Sequence, residues 1–341
     1  MQARPAARLR SMTDDRATTE AAGAPTQQNM AREEVRRRLR AVSTHVVAGA
    51  HAQAAEEPEF WARLDPPAQP PSDSAVTAIT SQVREEGWAV VPDVIPADEI
   101  AAVRESVMAT WQAHQESPSK YMAGSFLNIN TALAPYLTHE LVLGVAEQLW
   151  GPRGIKLTSV SPVPRFPGSK RDGRYFHSDW PYNTHQHAVF VPEPYPLDVP
   201  MHLTTIFMLS PFTEENATWI VPRSHRQSRN YLHLVENAGD ALPAGLQAIQ
   251  GVGNEGSVLI FDSRLYHGAP DHTAPSPRVG VGVRYAPWWL NILPLIHGSA
   301  EREALLYEGK PEANVIYPMH REVFMQLPTA LQKLTRHLLD K

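Results

Sequence analysis

The sequence predicts a mainly β protein of the α+β class: a set of short antiparallel strands closing into a barrel or sandwich, flanked by helices. Three observations lead there. Between residues 155 and 286, apolar and β-branched runs recur at short spacing, separated by Pro, Gly, Asp and Asn. The chain carries 31 prolines, which favour loops and strand edges over long helices. Apolar residues at helical spacing are confined to the stretches before and after these runs.

The elements follow in order. Residues 1–29 are rich in Ala, Thr, Gln and Asp with little periodicity and read as an extension without fixed structure. Its first twelve residues are basic and free of acids, which fits a loose extension better than an organellar presequence. Residues 30–75 read as a helical segment, Arg32 to Ala55, followed by the proline-rich linker "DPPAQPPSDS", where helix is forbidden. The folded domain is expected over 76–341. It opens with "GWAVVP" as a strand, then a helix whose Ile100, Val103, Val107 and Trp111 share a stripe. A second helix, "HELVLGVAEQLW", is stopped by Gly151 and Pro152. The strand candidates are "IKLTSVSPV", "MHLTTIFML", "ATWIVP", "GSVLIFD" and "RVGVGVRYA". Helix returns in "EREALLYEG" and in "PTALQKLTRHLL", with Pro328 in its first turn and Leu331, Leu334 and Leu338 in register.

Composition narrows the function. Charged residues make up 20% and the net charge is -5, so there is no cationic footprint for nucleic acid. No run reaches 18 apolar residues, so no membrane span is expected, and the cytoplasm is the expected compartment. With no cysteine, thiol nucleophiles, disulfides and thiolate metal sites are excluded; any metal must be held by nitrogen and oxygen. Oligomeric state is not encoded in any of these features.

"YFHSDW" places His177 and Asp179 two residues apart, on the same face if the chain is extended. With 15 histidines in the chain, such a pair means little without a third partner. "GSVLIFDSRLYHGAP" supplies one, leading a hydrophobic strand through a short turn to His267. The next strand opens with Arg278, whose face continues with Gly280 and Gly282, while Val279, Val281, Val283 and Tyr285 take the other. Two glycines beside a guanidinium leave space suited to a carboxylate ligand.

"FHSDW", "ENATWIVPRSH", "YHGA" and an arginine eleven residues after His267 together resemble the phytanoyl-CoA dioxygenase family of iron and 2-oxoglutarate oxygenases. The likeness runs from about Gly87 to Pro287. It implies a double-stranded β-helix (jelly-roll, cupin-like) core in which His177, Asp179 and His267 bind Fe(II) and carry catalysis. It also implies that 2-oxoglutarate chelates the iron and is held at its far carboxylate by Arg278, with O2 as the second co-substrate. Decarboxylation to succinate would accompany oxidation of a C–H bond in a small organic molecule. Asp179 fills the position that halogenating relatives vacate, so hydroxylation, desaturation or ring closure is expected. Two departures stand out: Ala269 where some relatives place a serine, and Arg223 where glycine is usual in "VPxSH".

Thr158, Ser161 and Thr204 fall on strands facing the interior and are candidates to bond the keto acid. Trp180, Tyr182 and Trp289 are candidate substrate-binding residues, set against the simpler reading of aromatic core. Arg165, Lys170, Arg171 and Arg174 lie in a glycine-bearing loop placed to cap the site mouth, set against the simpler reading of a solvated basic loop. His185 and His187 form another i, i+2 pair with no carboxylate to join them; His225 is read as structural and His272 as the alternative distal ligand. A catalytically inert barrel and a Zn hydrolase on the same triad are the competing functions, the latter leaving Arg278 without a role.

Overall fold

The computed structural model describes residues 73–114, 120–152, 154–170, 176–180, 200–227, 242–305 and 315–340. The N-terminal extension, the Arg32–Ala55 helix and most of the proline-rich stretch lie outside the described residues. Helix α1 (Ser74–Glu86) starts where the prolines end. The Asp73 carboxylate accepts from the Ala75 amide at 2.8 Å and caps it. Gly87 ends it in the left-handed region at φ 90°, and a Cβ there would lie 2.5 Å from His225 Nδ1, so glycine is required twice over. The sequence reading did not foresee α1, because its buried stripe of Val76, Thr80 and Val83 is narrow and one-third polar.

The six strands expected from the sequence form, and two short ones, over 249–250 and 267–268, were not expected. β1 (Trp88–Val91), β2 (Ile155–Pro162), β3 (Leu203–Met208), β6 (Val258–Asp262) and β8 (Gly280–Pro287) form one antiparallel sheet in the order β1-β6-β3-β8-β2. β4 (Trp219–Ile220), β5 (Ile249–Gln250) and β7 (His267–Gly268) form a second, in the order β5-β4-β7. His177 extends that second sheet by an antiparallel bridge to His267. The two sheets pack through Ile206, Met208, Phe212, Ile220, Leu259 and Phe261, all buried. This is the β core of jelly-roll type, with helices outside it.

Those helices cover the back of the large sheet. α2 (Ile100–Ala113) and α3 (Glu140–Trp150) contribute Val103, Val107, Val142 and Val145 to the same buried core as Val279, Val281, Val283 and Tyr285 of the predicted valine face. Fully burying an aliphatic chain of this size contributes about 1.5–3 kcal/mol, so this face anchors β8 firmly. At the C-terminal end α4 (Ala300–Leu305), α5 (Arg321–Gln326) and α6 (Thr329–Thr335) follow, and Leu331, Leu334 and Leu338 enter the same core. Pro328 precedes α6 as its cap, one residue earlier than the sequence places it.

On the inner face the two glycines separate. A Cβ on Gly280 would sit 3.0 Å from the Phe212 ring and 3.1 Å from Ile206 Cγ2, so neighbouring side chains fill its gap and it offers no room to a ligand. A Cβ on Gly282 would meet only the Ser161 carbonyl at 3.7 Å, and there the expected space exists. Arg223 occupies the left-handed region at φ 67°, the conformation that explains the usual glycine, and its guanidinium pairs with Glu86 at 2.6 Å.

Candidate metal centre

His177 and His267 are brought together by the backbone: each amide donates to the other's carbonyl at 2.9 Å. In such a pair the side chains stand on one face, and the two rings lie 4.2 Å apart between centroids. Asp179, two residues on, turns to the same point. Its Oδ1 is 3.7 Å from His177 Nε2 and 3.8 Å from His267 Nε2, and one donor atom from each residue lies within 4.8 Å of the others. Two imidazoles and a carboxylate on one side of an ion leave the opposite positions open, the pattern suited to non-haem Fe(II).

The surroundings fix the ligand atoms. His267 Nδ1 lies 2.9 Å from the Leu265 carbonyl, which can only accept, so the neutral ring carries its proton on Nδ1 and presents the Nε2 lone pair to the site. Protonation of His177 is disfavoured, by burial of its ring nitrogen first and by His267 second, even though 43% of its side chain is open to solvent. Burial would raise the Asp179 carboxyl, but Arg284, the two histidines and Thr204 outweigh it and hold it ionised, well below the usual carboxylate range. Neutral imidazoles and an ionised carboxylate are the states a divalent metal requires.

Two residues grip Asp179 from behind. Thr204 donates to Oδ2 at 2.8 Å; Arg284 reaches Oδ2 through Nε at 3.3 Å and Oδ1 through Nη2 at 3.1 Å. Because the Thr204 proton is on the carboxylate, Ser263 must donate to Thr204, at 2.8 Å, and His202 Nδ1 to Ser263, also at 2.8 Å. His202 Nε2, the acceptor nitrogen of the neutral ring, lies 3.2 Å from the Thr158 hydroxyl, whose single proton is divided between it and the Arg284 carbonyl, also at 3.2 Å. A directed run of hydrogen bonds thus ends on the carboxylate. Arg284, His202 and Ser263 were missed in the sequence. For Arg284 the signal was present: it continues the alternation of Arg278, Gly280 and Gly282.

Beside Asp179 opens a small cavity of about 20 Å3, lined by Gly124, Thr158, Ser159, Arg284, Leu295 and Ile316. Thr158 is therefore at the site, and its hydroxyl is engaged with His202 and the Arg284 carbonyl. Thr204 uses its hydroxyl on Asp179 rather than holding it free for a keto acid. Ser161 lies opposite Gly282 in the β2–β8 register. Trp180 packs against the apolar core and Trp289 is 42% exposed; neither walls this cavity. Tyr182, Arg171, Arg174, His185 and His187 lie outside the described residues. His225 bonds the Arg84 carbonyl, and His272 the Ser276 carbonyl, away from the triad.

Arg278 is 4% exposed. It bonds the Asn216 carbonyl at 3.1 Å, Thr218 Oγ1 at 3.2 Å and the Val163 carbonyl at 3.4 Å, and lies over the Phe212 ring. All of these partners are neutral, and its buried Nε has none. Burial, and secondly the charge of Arg165, push its pKa down to about 10. A buried guanidinium with only neutral partners and one orphaned donor fits an absent carboxylate.

The chain is similar to several known proteins. A relative named Dioxygenase trt7, from Aspergillus terreus, is 25% identical over 176 residues, covering 50% of this chain. The chain spans about half, 54%, of that relative's length. Among solved structures, HygX from Streptomyces hygroscopicus with nickel and 2-oxoglutarate bound is 15% identical, with 63% of this chain and 88% of that one covered at a TM-score of 0.47. The α-ketoglutarate-dependent epimerase SnoN from nogalamycin biosynthesis is 16% identical, with 63% and 81% covered at 0.44. The family model for phytanoyl-CoA dioxygenase matches residues 83–280, a span that contains the triad and Arg278. That match covers more than half of the 341 residues, and the chain belongs to the phytanoyl-CoA dioxygenase family.

Proposed function

We propose that the protein is an Fe(II)- and 2-oxoglutarate-dependent oxygenase that hydroxylates, or otherwise oxidises a C–H bond of, a small organic molecule. The observation that carries this reading is the convergence of His177, Asp179 and His267 in a barrel that also buries Arg278 with no counter-charge among the described residues. A hydrolytic zinc site would explain the triad and leave that guanidinium idle. The name dioxygenase carried by the 25% identical relative supports the same class.

When bound, iron with the keto acid and O2 supplies the oxidising chemistry, and succinate and CO2 are the by-products. The chain's own residues bind and orient. His177 and His267 offer Nε2, and Asp179 offers Oδ1, while Thr204 holds Oδ2 and Arg284 bridges both oxygens. A carboxylate held in this way leaves more of the ion free for the co-substrates than one that chelates through both oxygens. Arg278 receives the distal carboxylate of 2-oxoglutarate. The substrate is received on the side of Asp179 and Arg284, where Leu295 and Ile316 line the small cavity next to them. Asp179 in the carboxylate position favours hydroxylation over halogenation.

Anaerobic addition of Fe(II) and 2-oxoglutarate tests the assignment: a weak visible charge-transfer band is expected, and an inert barrel gives none. His177→Ala is expected to abolish both the band and succinate release. Arg278→Ala is expected to keep iron binding and raise the 2-oxoglutarate requirement sharply, by about tenfold or more for a lost charge-assisted pair.

A further inference from the structure

Arg165 and Arg278 face one another across the edge of the large sheet. The Arg165 amide donates to the Arg278 carbonyl at 2.8 Å and the Arg278 amide to the Arg165 carbonyl at 2.9 Å. Residues paired in this way project their side chains to the same face, here the inner face that carries Gly280 and Gly282. Like charges directly opposite each other on antiparallel strands repel, and burial strengthens the repulsion. Neither arginine forms an ion pair among the described residues. Arg165 Nη2 donates to the Lys170 and Pro270 carbonyls, both at 3.0 Å, and all partners of Arg278 are neutral. The Nε of each is buried and without an acceptor. Pro270 lies three residues beyond His267, so Arg165 is tied to the loop that follows β7.

Two adjacent cations, Arg278 buried and Arg165 half-buried, each with a buried Nε that has no acceptor, call for an anion with more than one acceptor oxygen. We propose that Arg165 is a second anchor for the distal carboxylate of 2-oxoglutarate, sharing it with Arg278 and making the site selective for a dicarboxylic keto acid. The inference rests on the oxygenase reading. It accounts for the mutual repulsion, which the bound carboxylate relieves, and for the two orphaned Nε groups together. It also assigns a role to one member of the basic loop that the sequence left as solvated surface.

The test is equilibrium binding without turnover. The whole protein, loaded anaerobically with Fe(II), is titrated with 2-oxoglutarate and with 2-oxobutyrate, which has the same chelating head and no distal carboxylate. The visible band reports both. Arg165→Gln is expected to weaken 2-oxoglutarate binding by about tenfold, the loss of a charge-assisted hydrogen bond, while leaving 2-oxobutyrate and Fe(II) affinity unchanged. Arg165→Lys keeps the charge and is expected to recover part of the preference for the diacid. An equal loss for both keto acids makes Arg165 a prop for the 166–170 turn and overturns the proposal, as does no loss for either. If the wild-type protein gives no band with Fe(II) and 2-oxoglutarate, the oxygenase reading itself fails and this inference with it; a wild-type band with an unaltered diacid preference in Arg165→Gln refutes the inference alone.

Discussion

Asp179 concentrates the electrostatics of the site at the level of single residues. Its side chain is only 8% exposed, a burial that an ionised carboxylate tolerates only with several donors. Thr204 and Arg284 provide them, and the same donors select which oxygen faces the histidines. Removing either grip is therefore expected to disturb metal binding before it disturbs the fold. Thr204→Val and Arg284→Gln should each weaken Fe(II) affinity by about 10–100-fold, the usual effect of losing a partner that orients a metal ligand. Metal titration of the purified variants, with circular dichroism to verify folding, checks this; unaltered affinity in both would show that Asp179 is positioned by the backbone alone. His177, Asp179 and His267 were legible in the sequence because residue type and spacing carry them. His202 and Ser263 were not, since their link to Asp179 exists only once β3 and the turn after β6 are side by side.

Among the elements, β8 unites the protein's two chemistries. With the two residues before it, its odd-numbered positions form a valine face in the apolar core, and its even-numbered ones run from the buried Arg278 to Arg284 on Asp179. Period-two alternation fixed this division in advance. What alternation could not say is which inner glycine leaves room, because that depends on the side chains reaching in from elsewhere. Gly280→Ala presses on Phe212 and Ile206 and is expected to destabilise by about 1–3 kcal/mol, the range for overpacking a filled core. Gly282→Ala enters open space and is expected to leave stability within about 0.5 kcal/mol of wild type, as changes away from packed sites do. Urea denaturation of the two variants compares them directly, and equal losses would remove the distinction.

At the scale of the whole molecule, buried neutral histidines set the response to acid. Burial, with Arg284 next, pushes His202 down to about 3; burial, with Lys156 next, does the same for His337. In the unfolded chain both return to about 6.5. Below that value the unfolded state binds more protons than the folded one, so stability rises with pH across the window from about 3 to 6.5. The contribution is complete above about 6.5 and is lost as pH falls through the window. Thermal unfolding followed from pH 7.5 to 4.5 is expected to show a falling midpoint, shallower in a His337→Gln variant. A flat profile would mean these rings are not held neutral. Among the described residues no helix is long and apolar enough to cross a membrane.

By itself the sequence determined the strand-rich architecture, the flanking helices, the triad and the arginine beyond it, because each rests on local periodicity or on residue types at short spacing. Only the tertiary structure decided how the carboxylate is oriented, which glycine opens a space, that Trp180 belongs to core packing, and that a second arginine stands opposite the first. These depend on which side chains meet across strands distant in the chain, and pattern along one strand carries no information about what lies opposite it.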